Sequence, residues 1–231
     1  MRSSRAQRLA SYKALREART SAFEGAADGL RIAIDPDEIA EIEEDVAARY
    51  ASLGWQPAWA EVGVAYQDPF LRLLRDAVVF PDGHRAVHHR VLSNNHPSGA
   101  AVLPVHGKRV VLIRHFRHPS RCWHWEIPRG AIEPGQTAEA AAKAELAEEI
   151  GSRCESLVPL GLVHGASSLV SGAVALFLGS VDEIGTPQLS EGIAAVRTVE
   201  ISELESMIDS GDITDAFTLG AVLRARLKGL L

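Results

Sequence analysis

The stretch from Gly130 to Gly151, GAIEPGQTAEAAAKAELAEEIG, constrains this chain more than any other. Its first part reads as a loop, with permissive backbone at Gly130 and Gly135 and a turn set by Pro134. Its second part is alanine-rich and helical on propensity, from about Ala138 to Ile150, with Thr137 as N-cap and Gly151 just past the end. Glu145, Glu148 and Glu149 then fall on one helical face within a single turn. Like charges so spaced repel by roughly 0.2 to 0.5 kcal/mol per pair. They also stand at the helix end where the dipole disfavours anions. Lys143 is on another face and Arg153 lies beyond the terminating glycine, so local compensation is thin. A solvated acidic face is the ordinary reading of such a cluster. Against it stand the wrong helix end, the built loop, and Leu146 and Ile150, which pack the same turns against a core. A divalent cation converts the repulsion into shared coordination. Mg²⁺ takes a few carboxylates plus phosphate oxygens, and a carbonyl near Gly130 offers one oxygen more. The chemistry that follows is phosphoryl or pyrophosphate hydrolysis.

The remaining composition narrows the class. The net charge of −6 gives no reason to expect nucleic-acid binding. No apolar run is long enough for a transmembrane helix; the longest, Leu169 to Gly179, is broken by Ser171 and Gly172. Cys122 and Cys154 are too few for a disulfide framework and read as thiols of a reducing, cytoplasmic compartment. Arg2, Arg5, Arg8, Lys13, Arg16 and Arg19 face only Glu17 in the first twenty residues. This reads as a basic solvated helix; an organellar targeting segment is the other reading, with no apolar stretch or cleavage pattern behind it.

Along the chain, Gln7 to Glu24 carries Leu9, Tyr12, Leu15 and Ala18 at helical spacing. A second, acid-rich helix begins at Pro36 after Asp35 and stops before Gly54. The two either pair or cover a neighbouring subunit. Strand character starts near Trp59, with a hairpin over Ala77 to Leu92 turning at Pro81-Asp82-Gly83. Further strands are expected at Ala100–Val105, Arg109–His115, Trp123–Ile127, Leu157–Val163, Ala173–Leu178 and Ala194–Val199, and closing helices at Ser202–Ser210 and Asp215–Lys228. Strands with inserted helices, without strict alternation, predict an α+β fold with a mixed sheet.

Gly130, Glu145, Leu146, Glu148, Glu149 and Gly151 stand in the register of a Nudix box, which the segment resembles. Gln136, Ala144 and Ser152 depart, where that pattern has Glu, Arg and an aliphatic residue. Because the Glu and Arg brace one another, losing both is less costly than stranding one. Tyr66-Gln67-Asp68-Pro69-Phe70, Trp125 to Gly130 and Gly211 to Thr218 are similar to the ADP-ribose pyrophosphatase branch. The resemblance implies an α/β/α sandwich over residues 59–231, preceded by a helical extension over 1–58 that it does not cover. Residues 59–98 become a small antiparallel sheet that pairs two subunits into a homodimer. It further implies Mg²⁺, with Mn²⁺ as substitute, held by Glu145, Glu148, Glu149 and the Gly130 carbonyl, and a small nucleoside diphosphate derivative as substrate. ADP-ribose, cut to AMP and ribose 5-phosphate, is the reading that fits best.

The branch carries an additional acid after the box, and Glu191 occupies the matching stretch, where a solvated side chain is the competing reading. The Ser167 to Gly172 stretch aligns with a loop that often bears an acid and has none. Arg117 and Arg129, ahead of Arg114, are the expected phosphate contacts. Glu126 either supports the metal site through a hydrogen bond or binds loop amides. Tyr66 and Phe70 either sandwich a base or belong to the core. His84 and His88, four apart in a strand, are too distant to share a cation, and His115, His118 and His124 show no ligand spacing. The departures at Gln136 and Ala144 keep a second function open: a catalytically weak module that binds an ADP-ribose-type ligand as a sensor or regulator.

Overall fold

Ser4 opens the first helix, α1 (Arg5–Ala18), with a capping box in which its hydroxyl and the Gln7 side chain each accept the other's backbone N–H. The helix begins earlier and ends earlier than its apolar stripe suggests. The structure, a computed structural model, describes residues 4–26, 28–93, 97–154, 156–188 and 191–231. Arg2, Leu189 and Ser190 lie outside the described residues. The chain divides into two compact units, Met1–Ser93 with Ser168–Ser171, and Asn94–Ser167 with Gly172–Leu231.

In the first unit a short strand, β1 (Arg31–Ile32), leads to α2 (Pro36–Ser52), whose Asp35 cap accepts the N–H groups of Asp37 and Glu38. Three strands follow, β2 (Gly63–Gln67), β3 (Arg72–Val79) and β4 (Arg85–Leu92). All pair antiparallel around β3. The β3 strand starts at Arg72, five residues before the expected hairpin. Asp68 closes a tight turn there, accepting N–H groups from Phe70 and Leu71, both at 2.8 Å. The basic and acidic helices do pair: Arg5 bonds Glu43 at 2.8 Å. Tyr12, Ile39, Ile42 and Val46 from the helices share one apolar core with Leu74, Ala77 and Val87 from the sheet. Ser168–Ser171 joins this unit through a parallel bridge between Val91 and Val170.

The second unit is an α/β/α sandwich on a mixed, seven-stranded sheet. Its strands are β5 (Gly99–His106), β6 (Arg109–Arg117), β7 (Cys122–Glu126), β8 (Arg129–Ala131), β9 (Leu157–Val163), β10 (Val174–Ser180) and β11 (Ile193–Glu200). Strand order is β11-β6-β5-β10-β9, with β7 on β6 and β8 on β5. Only the β5–β10 pairing is parallel among those between named strands of the described residues.

Strand alternation sends one set of side chains to each face. Ala101, Leu103, Val110, Leu112, Leu176 and Leu178 meet α4 (Ile201–Asp209) and α5 (Ala216–Leu227). Their neighbours Ala100, Val102, Val111, Ile113, Ala175 and Phe177 meet α3 (Ala138–Ile150) on the other side. Burial on both faces is why β5, β6 and β10 read as continuous apolar runs. Residues 129–131 differ from the expected loop: they form β8, antiparallel to β5 with Gly130 opposite Ala100. Pairing partners thirty residues away decide this, which local propensity does not register.

Candidate active site

Helix α3 is built as its sequence indicates. Thr137 accepts the N–H of Ala140 at 3.1 Å, and Gly151 ends the helix at φ +62°. A Cβ at Gly151 would lie 2.7 Å from the Thr186 nitrogen, so Gly185 and Thr186 pack against the helix end only because that residue is glycine. Ser152, buried where the resembled pattern has an aliphatic residue, donates its hydroxyl to the Glu183 carbonyl. Gly185 and Gln188 donate backbone N–H groups to the carbonyls of Ile150 and Glu148, at 2.9 and 2.8 Å. The segment that carries Glu191 is thereby fastened to α3. Gln136 closes its own turn, accepting the N–H of Glu133 at 3.0 Å, so the loop holds without an acid and arginine brace.

Three acids meet at this end of α3. Glu149 is 1% exposed and accepts the backbone N–H of Arg129 at 2.9 Å. Burial, then the charge of Glu145, pushes its carboxyl up to about 8. Glu145 is pushed up to about 7 by burial, then by the charges of Glu148 and Glu191. The structure thus brings Glu191 into the field of Glu145. A Cβ at Gly130 would stand 1.8 Å from Oε1 of Glu145, so the β8 backbone lies directly against that carboxylate. The Gly130 carbonyl oxygen faces Gly99 on β5, 2.7 Å from where a Cβ there would be.

Beside these acids lies a second set of partners. Glu126, fully buried, accepts from Arg117 and, at 3.3 Å, from Arg129. Among the described residues it accepts from no loop amide; Glu149 accepts the Arg129 amide instead. Arg129 also donates to Asp215 at 3.2 Å and sits 5.0 Å above the Phe217 ring. Asp215 caps α5 through the N–H of Thr218, whose hydroxyl in turn accepts the N–H of Ile127 at 3.0 Å. Arg117 and Arg129 each keep a buried Nε with no hydrogen-bond partner among the described residues. Arg114 is elsewhere, exposed, with its guanidinium 5.4 Å from the Trp123 ring centre.

His115 has no ligand spacing in sequence, yet its Nδ1 stands 3.5 Å from Glu126 and 3.7 Å from Glu149 without forming a hydrogen bond. Burial, then Arg117, Arg129 and His124, hold the imidazole down at about 4, so it is neutral at physiological pH. Strand register could have found it. Ile113 pairs with Glu126, and residues at steps of two along β6, His115 and Arg117, share that face. Asp215 and Thr218 also went unassigned, since helix capping was their only local signal. Tyr66 and Phe70 belong to the first unit, on β2 and in the turn after it; both are exposed, and the Tyr66 hydroxyl donates to Asp68 at 2.9 Å. His84 and His88 pack against the Phe80 ring at tilted and edge-on angles, each with ring centroids 5.6 Å apart.

The donor set suits a hard cation. Hard oxygens are gathered on one helical turn, and two of the carboxyls are held back from ionising by burial and by the neighbouring carboxylates, with a glycine backbone beside them. Among the described residues no group of three or more His, Cys, Asp or Glu is arranged to hold a metal by itself. Such a site needs oxygens from a bound substrate or water to complete coordination, as Mg²⁺ sites on phosphates do.

Comparison with known proteins agrees with this chemistry. Residues 95–217 match the NUDIX domain. An ADP-ribose pyrophosphatase of Bacillus subtilis is 28% identical over 140 residues, 59% of this chain and 76% of the relative. The CMP-5'-(N-acetyl-N-hydroxy-3-aminopropyl)phosphonate hydrolase of Streptomyces rubellomurinus is 25% identical over 170 residues, 72% of this chain and 81% of the relative. In fold, the crystal structure of an ADP compounds hydrolase superposes with a TM-score of 0.63 at 20% identity, covering 73% of this chain and 92% of that one.

Proposed function

The chain belongs to the Nudix family of pyrophosphohydrolases, and from that premise we propose that it cleaves the pyrophosphate of ADP-ribose to AMP and ribose 5-phosphate in a Mg²⁺-dependent reaction. The observation that carries the metal is the pair Glu145 and Glu149, whose carboxyls are pushed up to about 7 and 8 by burial and by the charge of neighbouring carboxylates. A cation relieves both causes at once, and its binding releases protons. Glu145, Glu148, Glu149 and the Gly130 carbonyl are the residues that would hold it, with Mn²⁺ as substitute. When bound, the metal neutralises phosphate charge and lowers the pKa of water.

The chain's own groups do the remaining work. Arg117 and Arg129 bind phosphate oxygens; Glu126 and Asp215 orient their guanidinium groups, and the unpartnered Nε donors suit an additional oxygen. Neutral His115 adds no positive charge beside the acids. Glu191, fastened near Glu145, accepts the proton of the attacking water or adds an oxygen to the cation. Tyr66 and Phe70, exposed on the first unit, offer rings to a base, and pairing of the small sheet gives a homodimer. Two free thiols suit a cytoplasmic enzyme, and among the described residues no helix is long and apolar enough to cross a membrane.

One observation favours a weaker catalyst that binds an ADP-ribose-type ligand as a sensor: Gln136 and Ala144 stand where the family pattern has an acid and an arginine. Nucleoside monophosphate release separates the two readings, assayed on ADP-ribose, ADP-glucose, NADH, diadenosine polyphosphates, a nucleoside triphosphate and a CMP-linked phosphonate. Each is run with Mg²⁺, with chelator, and with Glu148→Gln and Glu149→Gln. Turnover of ADP-ribose that chelation and both substitutions abolish supports the hydrolase. Thermal stabilisation by ADP-ribose with no turnover of any substrate supports the sensor. Sedimentation of the intact protein tests the dimer.

A further inference from the structure

The first unit holds a cavity of about 300 Å³ where α1 meets the start of α2. This volume lies at the lower end of small-molecule pockets. The cavity is formed by residues 9–39, wholly outside the segment that matches the NUDIX domain. Its walls are apolar: Leu9, Ile34, Ile39 and the ring of Tyr12, whose hydroxyl is already committed to Asp76. The charged side chains that line it are both cations, Lys13 and Arg16.

The other basic residues of this helix are answered by acids. Arg5 pairs with Glu43 at 2.8 Å and Arg8 with Glu61 at 3.2 Å. Among the described residues Lys13 has only a 4.0 Å ion pair with exposed Glu17. Arg16 bonds the Ile34 carbonyl at 3.3 Å and has no carboxylate at ion-pair distance among the described residues. Its charge acts on Tyr12, which places it beside the apolar wall. The α2 N-terminus supplies no competing anion site there, because Asp35 already accepts the N–H groups of Asp37 and Glu38. An apolar body with one negative head is the ligand that such a lining complements.

We propose that this pocket binds a small amphipathic carboxylate, an acyl or aryl acid, with its chain against Leu9, Ile34 and Ile39 and its carboxylate on Arg16 and Lys13. Octanoate is the probe, added to the full-length protein and followed by titration calorimetry, with octan-1-ol as the uncharged control. Saturable binding of octanoate is expected, with the alcohol weaker by about tenfold, the loss of one charge-assisted contact. Arg16→Gln reduces octanoate affinity by the same factor and leaves the alcohol unchanged. Ala10→Trp, on the exposed side of the lining, fills the cavity and abolishes both. Circular dichroism on each variant verifies that α1 is retained. Equal affinity for acid and alcohol, or octanoate binding indifferent to Arg16→Gln and Ala10→Trp, overturns the proposal. Self-association that Ala10→Trp removes and octanoate does not compete with also overturns it, and assigns the cavity to a second copy of the chain.

Discussion

Each unit buries acidic side chains, and treats them differently. In the first, Asp76 accepts the Tyr12 hydroxyl and two bonds from Arg90, at 2.6 and 3.3 Å, while the Arg90 guanidinium also rests 4.6 Å from the Phe23 ring centre. The charge is answered within the fold. In the second, Glu126 is answered in the same way by Arg117 and Arg129, whereas Glu149 has one backbone N–H and Glu145 stands against bare glycine backbone. A buried acid with its partners built in specifies structure; one whose carboxyl stays raised despite its neighbours is a candidate ligand group. The contrast sets Asp76 and Glu126 apart from Glu149, which burial does not, since all three are at most 3% exposed.

The sharpest test of this contrast is Glu149→Gln. Turnover is expected to fall on the order of a thousandfold, while stability in chelator, from urea unfolding, holds or rises because a desolvated acid has been removed. Near-normal turnover would break the link between the unanswered acid and the chemistry. Asp76→Asn is the opposite case: it strands the Arg90 charge and should cost about 3 kcal/mol of stability by the same assay. A cost below ~1 kcal/mol would mean that the first unit's acid is as dispensable as Glu149 is to folding.

The comparison also has a pH signature. Glu145 and Glu149 sit above their ordinary value of 4.5, at about 7 and about 8. Their contribution to stability is fully present below 4.5 and is lost as pH rises through those values. His115 works in the other direction, since a depressed imidazole loses its contribution as pH falls from 6.5 through about 4. Between pH 6.5 and 9 only the two glutamates move, so metal-free protein should unfold more readily as pH rises across that window. Mg²⁺ should flatten the trend, and so should Glu149→Gln in part. A metal-free profile level across the window would sink the claim that these acids are unsatisfied.

A smaller effect sharpens the role of the segment bearing Glu191. Ser152→Ala leaves the Glu183 carbonyl without its hydroxyl donor and should cost about 1 kcal/mol. It should lower kcat more than it raises KM if that segment positions Glu191. A change in KM alone would assign the segment to substrate binding.

Features set by near neighbours in the chain are legible in the sequence. The α3 boundaries, its Thr137 cap and its Gly151 stop follow from propensity and capping chemistry, which act within a few residues. The β9 limits agree residue for residue. Strand β8 was missed because Arg129–Ala131 has no strand signal of its own; its pairing with β5 supplies one. His115 was missed for a related reason, since only the β6–β7 register sets it beside Glu126.

The sequence by itself determined the acid triplet, the helix that aligns it, the glycine loop before it and the family to which these belong. It did so because each depends on spacing within one turn or one loop. Only the tertiary structure decided which acids are answered and which are not. Arg117 reaches Glu126 across a hairpin, Arg129 reaches Asp215 across 86 positions, and Ser152 anchors a segment 31 positions on. Whether a buried carboxylate holds the fold or waits for a cation depends on such distant partners, and chain neighbours carry no record of them.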